Sequence, residues 1–572
     1  MSLSVAALVC ALSIAVLYIL GLKADDLVIS GSGLLVGKEA WLRLLPFFLL
    51  MVLIAFFVIR WIYSFYDRHS SASDPESVGF FRVVQIRSLS RYFFILFLAW
   101  MPYWIIRFPG NLDPDTEWQF LQFYGFTPFS DHHPFFDNAL FAAFWKMGDL
   151  LGSNRWSLFL YAVFQMAATA FVMAAVIEYL KLREIPRTFL LFALLYFAFF
   201  PIIPLFSHTM AKDMLHGWIF LFFSLMMIYI VDMRGVVNEK PVWFWLLFSL
   251  VLLFVMLTKK TGIYVVLLSS LLCLPVLERR LPFCASCLIP MLLFSLVWSQ
   301  ILLPLWNVQP GAKREMMSVP SQQIGYLVQR YPELLSEEDY EVINSVFWDV
   351  EALGQEYTPC RADTAKRHFR EDSGKPAYFA FLRWYLQQYW LHPREMLVPV
   401  LALDYPLLLV DTTSSGDESL IFYRDNIASA ENPEADNSEW FANKAKTDVD
   451  SIRNVMISSY RDPVAAERSA SFNDLFQKIM NQLPLLFSKV LFATWIPLML
   501  LVYVLRRKSY RGFLMLLPDL LSTAILIVGP IVLPRYMVTS VYLMPLMLCV
   551  PFLINGSPAP GSFRSRRLHP IP

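Results

Sequence analysis

Long apolar runs separated by short polar breaks dominate the chain, near residues 3–22, 43–65, 92–107, 157–180, 188–206, 214–231, 242–258, 261–277, 283–304, 485–504, 513–530 and 536–554. Runs of this kind suit helices crossing about 30 Å of hydrocarbon. A backbone inside hydrocarbon must satisfy its own hydrogen bonds, which leaves the helix as the natural form for each run. The pattern predicts an all-α polytopic membrane protein with about 12 transmembrane helices. The first run begins at Met1 without a basic leader, and Ala24-Asp25-Asp26 offers no convincing small-residue cleavage site, so it reads as an anchor.

Two hydrophilic stretches interrupt the pattern, 108–156 and 305–482. Within the second, Gln322, Ile324, Leu327 and Val328 recur at helical spacing, as do Phe379, Leu382, Tyr385, Leu386 and Tyr389, so this insertion is expected to be mainly helical. Asp411 to Asp450 is acidic and carries Ser, Asn and Pro, the composition of a solvated loop. The expected organisation is two N-terminal membrane helices and a cytoplasmic loop over 1–91, a membrane core over 92–304 that includes the acidic loop 108–156, the insertion 305–482, three C-terminal membrane helices over 483–555, and a basic tail over 556–572.

Lys and Arg collect in one set of short loops, among them Arg82, Arg87, Arg91, Lys181, Arg183, Arg187, Arg234, Lys240, Arg279, Arg506, Arg507, Lys508 and Arg511. The positive-inside bias then places both termini in the cytoplasm and both hydrophilic stretches outside the cell membrane.

Composition agrees with this picture. Of 572 residues, 57% are hydrophobic and 16% charged, with a net charge of +1 and a mean hydropathy of +0.51. Soluble domains carry about 25% charged residues, so a soluble enzyme is excluded. A nucleic-acid partner is excluded as well, because no large basic field exists to attract one. The aromatic residues, 16% of the chain, read mainly as lipid-facing surface and interfacial belt. Five of the six cysteines lie in or beside apolar runs, so no disulfide framework is expected, and Cys284-Ala285-Ser286-Cys287 reads as packing.

The densest polar cluster beside the membrane is Asp113-Pro114-Asp115-Thr116-Glu117, followed by Asp131-His132-His133-Pro134. Three carboxylates in five residues repel one another, and their proximity to hydrocarbon calls for a cation, a proton or a substrate hydroxyl between them. Asp113 precedes proline and should be extended; Asp115 is a natural cap for a helix starting at Glu117. Asp113 and Asp115 also leave a divalent cation open as a cofactor. His132 and His133 suit steering of an acceptor, binding of a phosphate, or a place in a metal site, and Pro134 suits a helix start. Lys212 beside Asp213, the pair Lys259 and Lys260, and Arg535 all run against the charge bias that orients the chain. An anionic lipid phosphate at the membrane edge gives such exceptions a physical reason.

The arrangement resembles the GT-C superfamily of integral-membrane glycosyltransferases and, more narrowly, an uncharacterised family of bacterial multi-spanning proteins allied to it. The narrower resemblance is carried by Pro109-Gly110, Asp113 to Gln119, His132-His133-Pro134, Lys212-Asp213, Pro320-Ser321-Gln322-Gln323-Ile324, and Ala362-Asp363 with Lys366, between about residues 92 and 405. It implies transfer of a sugar from a polyprenyl-phosphate-linked donor to an envelope glycan, lipid or protein acceptor. Asp113 or Asp115 would be the catalytic base, and Glu117, His132, His133, Lys212, Asp213, Lys259, Lys260 and Arg535 the residues that bind substrate. The chain departs from the general GT-C pattern in two ways: the acidic loop follows the third run instead of the first, and the soluble part precedes the last three runs instead of following them. A ligase or polymerase of lipid-linked glycans would put Arg535, His132 and His133 first. A transporter or flippase would put its ionisable groups near the midplane within repeated halves, and no such repeat is seen.

Overall fold

The computed structural model describes residues 1–29, 38–69, 79–233, 241–277, 280–410, 438–456 and 463–555. Helix forms along every predicted apolar run, and apart from isolated bridges the described residues pair strands in one two-stranded parallel sheet. The chain is all-α, with the make-up of a multi-pass membrane protein.

Among the described residues, eight helices are long and apolar enough to cross a membrane: Leu3–Ile29, Leu42–Arg68, Phe80–Ile106, Asn154–Leu182, Lys212–Met233, Leu281–Leu305, Tyr510–Ile527 and Pro534–Asn555. Eight of the 12 expected spans reach this length. The runs at 188–206, 242–258, 261–277 and 485–504 form the shorter apolar helices Arg187–Phe199, Val242–Thr258, Gly262–Val276 and Leu491–Arg506. At about 1.5 Å per residue, 17 residues reach roughly 25 Å, short of the hydrocarbon thickness. Local chemistry sets their ends. Phe200 precedes Pro201 and takes extended dihedrals, which stops the first of them. The turn Lys259-Lys260-Thr261 separates the second from the third, closed by Gly262 N–H donating to the Lys259 carbonyl at 2.7 Å.

The elements that matter for the site are α1 (Leu3–Ala24), α2 (Lys38–Arg68), α3 (Ile86–Ile106), β1 (Asn111–Leu112), α4 (Pro114–Leu121), α5 (Phe135–Leu150), α6 (Asn154–Leu182), β2 (Thr209–Met210), α7 (Lys212–Met233), α8 (Val242–Thr258), α9 (Gly262–Cys273), α10 (Ser318–Arg330), α11 (Lys375–Leu391), α12 (Ser438–Ala445), α13 (Ile496–Arg506), α14 (Tyr510–Ile527) and α15 (Val538–Leu548). Helix α7 is the axis: 94% of its most apolar window is buried inside the protein, against 17% for α2. A small residue allows that burial. A Cβ on Gly217 would lie 2.5 Å from Val538 Cγ1 of α15, so only glycine lets α7 and α15 come this close.

The far end of α7 is pinned by a buried charge network. Arg183 Nε and Arg511 Nη2 stand 2.7 and 3.2 Å from the two Asp232 oxygens, and Tyr179 Oη donates to Asp232 at 2.9 Å. Many aromatics belong to the core rather than to the lipid face, which corrects the compositional reading: Trp100, Trp145, Tyr63 and Tyr161 are fully buried. Their polar tips find partners, as when Tyr63 Oη donates to the Met499 carbonyl at 2.7 Å and Trp100 Nε1 to the Phe197 carbonyl at 3.0 Å. All six cysteines are free.

The insertion is helical and has its own core around Ile324, Leu327, Val350, Phe381 and Trp384. Gln322 and Gln323, from the sequence motif, are fully buried and tie α10 to its surroundings: Gln322 donates to the Arg361 carbonyl and Gln323 to the Met396 carbonyl, each at 2.6 Å. The Ala362 amide donates to the Pro530 carbonyl at 2.8 Å, fastening the insertion to the last membrane helices. The reading of Asp411 to Asp450 as a loop is corrected where it can be seen. Residues 438–445 form α12, because Phe441 stacks on Trp118 of α4 at 5.8 Å. Residues 411–437, the loop positions Arg234, Lys240 and Arg279, and the tail 556–572 lie outside the described residues.

Candidate functional site

The acidic loop is held by backbone before it is held by charge. β1 pairs in parallel with β2, Asn111 opposite Thr209 and Leu112 opposite Met210, which brings the loop to the start of α7. Gly110 makes this approach possible: a Cβ there would lie 3.1 Å from the His208 carbonyl oxygen and 3.2 Å from Ala162 Cβ. Thr116 Oγ1 then donates to the Met210 carbonyl at 3.0 Å and fixes the first turn of α4.

That turn begins earlier than expected. Asp113 is extended, as a residue before proline should be, and it caps α4 by accepting from the Asp115 amide at 2.9 Å. The cap is thus Asp113 instead of Asp115, with Pro114 at the first helical position, where a missing N–H costs nothing. Likewise α5 starts at Phe135, with Pro134 as its cap residue and the Asp131 carboxylate accepting from the Phe135 amide at 3.1 Å.

Side chains from four separate segments meet here. Arg535, just ahead of α15, places Nη1 at 2.7 Å from both Asp113 oxygens and Nη2 at 2.5 Å from Asp115 Oδ2, while its Nε lies 3.5 Å from Asp213. Lys212, at the start of α7, reaches Asp115 at 3.3 Å and donates to His133 Nδ1 at 2.7 Å. Lys259, at the end of α8, stands 3.8 Å from Asp213. Tyr536 offers its ring to both Lys259 and Arg535, at 5.6 and 5.7 Å from its centroid. Asp113, Asp115, His133, Lys212, Asp213, Lys259 and Arg535 therefore form one cluster.

The remaining predicted residues stand at its margin or outside it. Lys260 turns away to Asp131, pairing with the carboxylate at 2.8 Å and with the main-chain carbonyl. His132 is exposed, its ring 4.8 Å from that of His133. Glu117 is fully buried on α4 and is not one of the carboxylates that Arg535 holds.

Electrostatics separate the two central acids. Burial raises the Asp113 carboxyl above the usual carboxylate range, even with Arg535 against it. Burial also pushes on Asp115, but Lys212 and Arg535 together carry it well below that range. The side chain of Asp115 is 35% exposed and that of Asp113 4%, so Asp115 is the carboxylate within reach of a substrate. Burial, reinforced by Lys212, holds His133 well below the ordinary imidazole value, consistent with a neutral ring that accepts from the Lys212 ammonium. Burial lowers Lys259 against the opposing pull of Asp213.

A divalent cation between Asp113 and Asp115 would have to displace the Arg535 guanidinium that bridges them. Among the described residues, no group of three or more His, Cys, Asp or Glu side chains is placed to hold a metal ion.

Sequence reasoning missed three residues. Asp137, on α5, is fully buried with no hydrogen-bond partner on either oxygen, and burial raises it well above the carboxylate range; Lys212, Asp213 and Asp131 act on its charge. A lone acid in the run Phe135-Phe136-Asp137-Asn138-Ala139-Leu140-Phe141 was the available signal. Tyr536 had only its adjacency to Arg535. Lys444 of α12 lies 3.9 Å from the centre of the Trp118 ring and 4.7 Å from that of Trp440, near enough for Asp115 to act on its charge, and nothing in the local sequence marks it.

Residues 124–378 match a family model described as "Family of unknown function (DUF6020)". The match takes in His132, His133, Lys212, Asp213, Lys259, Lys260 and the motifs around Gln322 and Lys366, and it leaves out Asp113, Asp115, Glu117 and Arg535. No curated protein and no solved structure matches the chain.

Proposed function

We propose that this protein is an integral-membrane glycosyltransferase that moves a sugar from a polyprenyl-phosphate donor to an envelope glycan, lipid or protein acceptor. The reaction side is extracytoplasmic, with both termini in the cytoplasm. The observation that carries the reading is the convergence of Asp115 with Lys212, Lys259 and Arg535, drawn from four segments, at the ends of membrane helices and beneath a helical insertion. Taking charges out of water costs several kcal/mol per ion, and burial to this extent is typical of sites that handle charge.

In this reading Asp115 is the general base, its basicity restored when the donor phosphate draws Lys212 and Arg535 off its Oδ2. The acceptor oxygen attacks the anomeric carbon, its proton passes to Asp115, and the bond from the anomeric carbon to the phosphate oxygen breaks with its electron pair leaving on the phosphate. Lys212, Lys259 and Arg535 stabilise the charge that grows there. Asp113 caps α4 and fixes Arg535, a positioning role. Neutral His133 holds the Lys212 ammonium toward Asp115. An apolar groove of about 700 Å³ between α1, α2 and α13, lined by Phe47, Met51, Ile59, Trp495 and Met499, offers a hydrocarbon surface to a lipid tail, although none of its lining residues belongs to the charged cluster.

The test is accumulation of lipid-linked sugar in cells that carry Asp115→Asn while the protein stays folded in the membrane. Unaltered sugar incorporation into every envelope polymer would overturn the reading. The central position of Arg535 favours a second reading, a ligase or polymerase of lipid-linked glycans. In that case Arg535→Ala would block transfer while Asp115→Ala would not.

A further inference from the structure

The cluster is electrically closed, with Asp113, Asp115 and Asp213 facing Lys212, Lys259 and Arg535. Beside it lies a cavity of about 390 Å³ whose walls come from the acidic loop and from the insertion. Five cations line it: Arg314, Arg361, Lys366, Arg367 and Lys444. Two acids share the wall, Glu315 and Asp363, and the buried Lys366 engages both, at 2.6 and 2.8 Å.

The other four cations have no carboxylate within ion-pair distance among the described residues. Arg314 Nε is buried without a hydrogen-bond partner. Arg361 is held by its backbone, which accepts from Gln322 at 2.6 Å and donates to the Thr358 carbonyl at 3.2 Å. Lys444 is aimed by its two tryptophans, and both Asp115 and Arg314 act on its charge. The cavity thus holds an uncommitted surplus of positive charge next to the base, and its volume lies in the range of small-molecule sites.

We propose that this cavity is an oxyanion site for the acceptor and takes a phosphate-bearing sugar, with the phosphate among Arg314, Arg361 and Arg367 and a sugar hydroxyl directed to Asp115. Guanidinium forks match phosphate oxygens in pairs, which suits a doubly charged anion better than a neutral glycan. The walls belong to the insertion rather than to the apolar spans, so the site suits a ligand arriving from water. The phosphate of a lipid donor stays tethered to the bilayer. The word acceptor rests on the transferase reading; the oxyanion site itself rests on the cavity.

The experiment uses the full chain in detergent with glucose 6-phosphate, glucose, inorganic phosphate and a short-chain polyprenyl phosphate as probes, read by calorimetry. Glucose 6-phosphate is expected to bind, inorganic phosphate to bind more weakly, and glucose not at all. Charge reversal at the exposed pair, Arg361→Glu with Arg367→Glu, should weaken glucose 6-phosphate at least tenfold, and Arg361→Gln alone severalfold. Equal binding of glucose and glucose 6-phosphate, or no effect of the reversal, overturns the proposal. Displacement of glucose 6-phosphate by the polyprenyl phosphate also overturns it, because the cavity would then hold the donor. Asp115→Asn, which keeps a hydrogen-bonding group for the sugar hydroxyl and leaves the arginines in place, should weaken glucose 6-phosphate less than the charge reversal does. If that binding persists while Asp115→Asn leaves transfer intact, the transferase reading fails and the site stands. If transfer is lost in Asp115→Asn but binding ignores the arginines, the site fails and the reading stands.

Discussion

Removing the guanidinium of Arg535 should do more than delete one side chain. Arg535 is 13% exposed and Asp113 4%, with Nη1 at 2.7 Å from both carboxylate oxygens. Unit charges about 4 Å apart at an effective dielectric near 20 attract by about 4 kcal/mol, and breaking a buried pair from one side costs about 3–5 kcal/mol because the abandoned charge stays buried. Arg535→Gln leaves the buried Asp113 without its ion-pair partner and facing Asp115, which keeps Lys212, and Asp113→Asn leaves Arg535 with one carboxylate fewer. Each single variant should lose about 3–5 kcal/mol, and the double variant clearly less than the sum, with a coupling of about 1–3 kcal/mol. Reversible unfolding of purified protein in mixed micelles, titrated with a denaturing detergent, measures all four corners of the cycle. Additive losses would show that Arg535 and Asp113 do not act as a pair and would refute the electrostatic account of how the acidic loop is fastened.

Asp404 gives a pH test. Burial pushes its carboxyl up to about 8 from an ordinary value near 4, so its contribution is fully present below about pH 4 and is lost as pH rises through 8. Asp404→Asn should therefore stabilise the protein by up to the order of 5 kcal/mol at pH 8 and by little at pH 4, read from unfolding curves at the two pH values; equal effects would contradict this. Asp137→Asn should follow the same sign, since burial raises that acid too. Gly217→Val should cost about 1–3 kcal/mol or more by forcing α7 from Val538, seen as a lower melting temperature and weaker retention of Lys212 near Arg535. Lys444→Ala should lower thermal stability by about 0.5–1 kcal/mol through loss of the contact with Trp118 and Trp440, and a larger change would assign it a wider structural role.

The sequence makes the helical character, the position of each apolar run and the charge exceptions legible, because these depend on composition over short windows. It does not show where each helix stops within its run, since Pro201 ends a helix inside a stretch that stays apolar to residue 206. Asp113, Asp115, Lys212 and Arg535 could be picked out because charge beside hydrocarbon is conspicuous. Capping by Asp113 is a contact only two residues long, but the roles of the two acids could not be separated, because the pull of Lys212 and Arg535 on Asp115 comes from residues about 100 and 420 positions away. Lys260 looked equivalent to Lys259, yet the turn sends it to Asp131. Lys444 was hidden by an acidic, loop-like composition, and the packing of Phe441 and Trp440 beside Trp118 brings it to the acidic loop.

The central claim is that Asp115 takes the acceptor proton while a sugar leaves a lipid phosphate. Its most direct measurement is single-turnover transfer from a radiolabelled polyprenyl-phosphate sugar in proteoliposomes, comparing the natural protein with Asp115→Asn. General-base catalysis contributes about 10²–10⁴-fold, so the variant should transfer at least about a hundredfold more slowly while still retaining the donor. A rate equal to that of the natural protein would contradict the account.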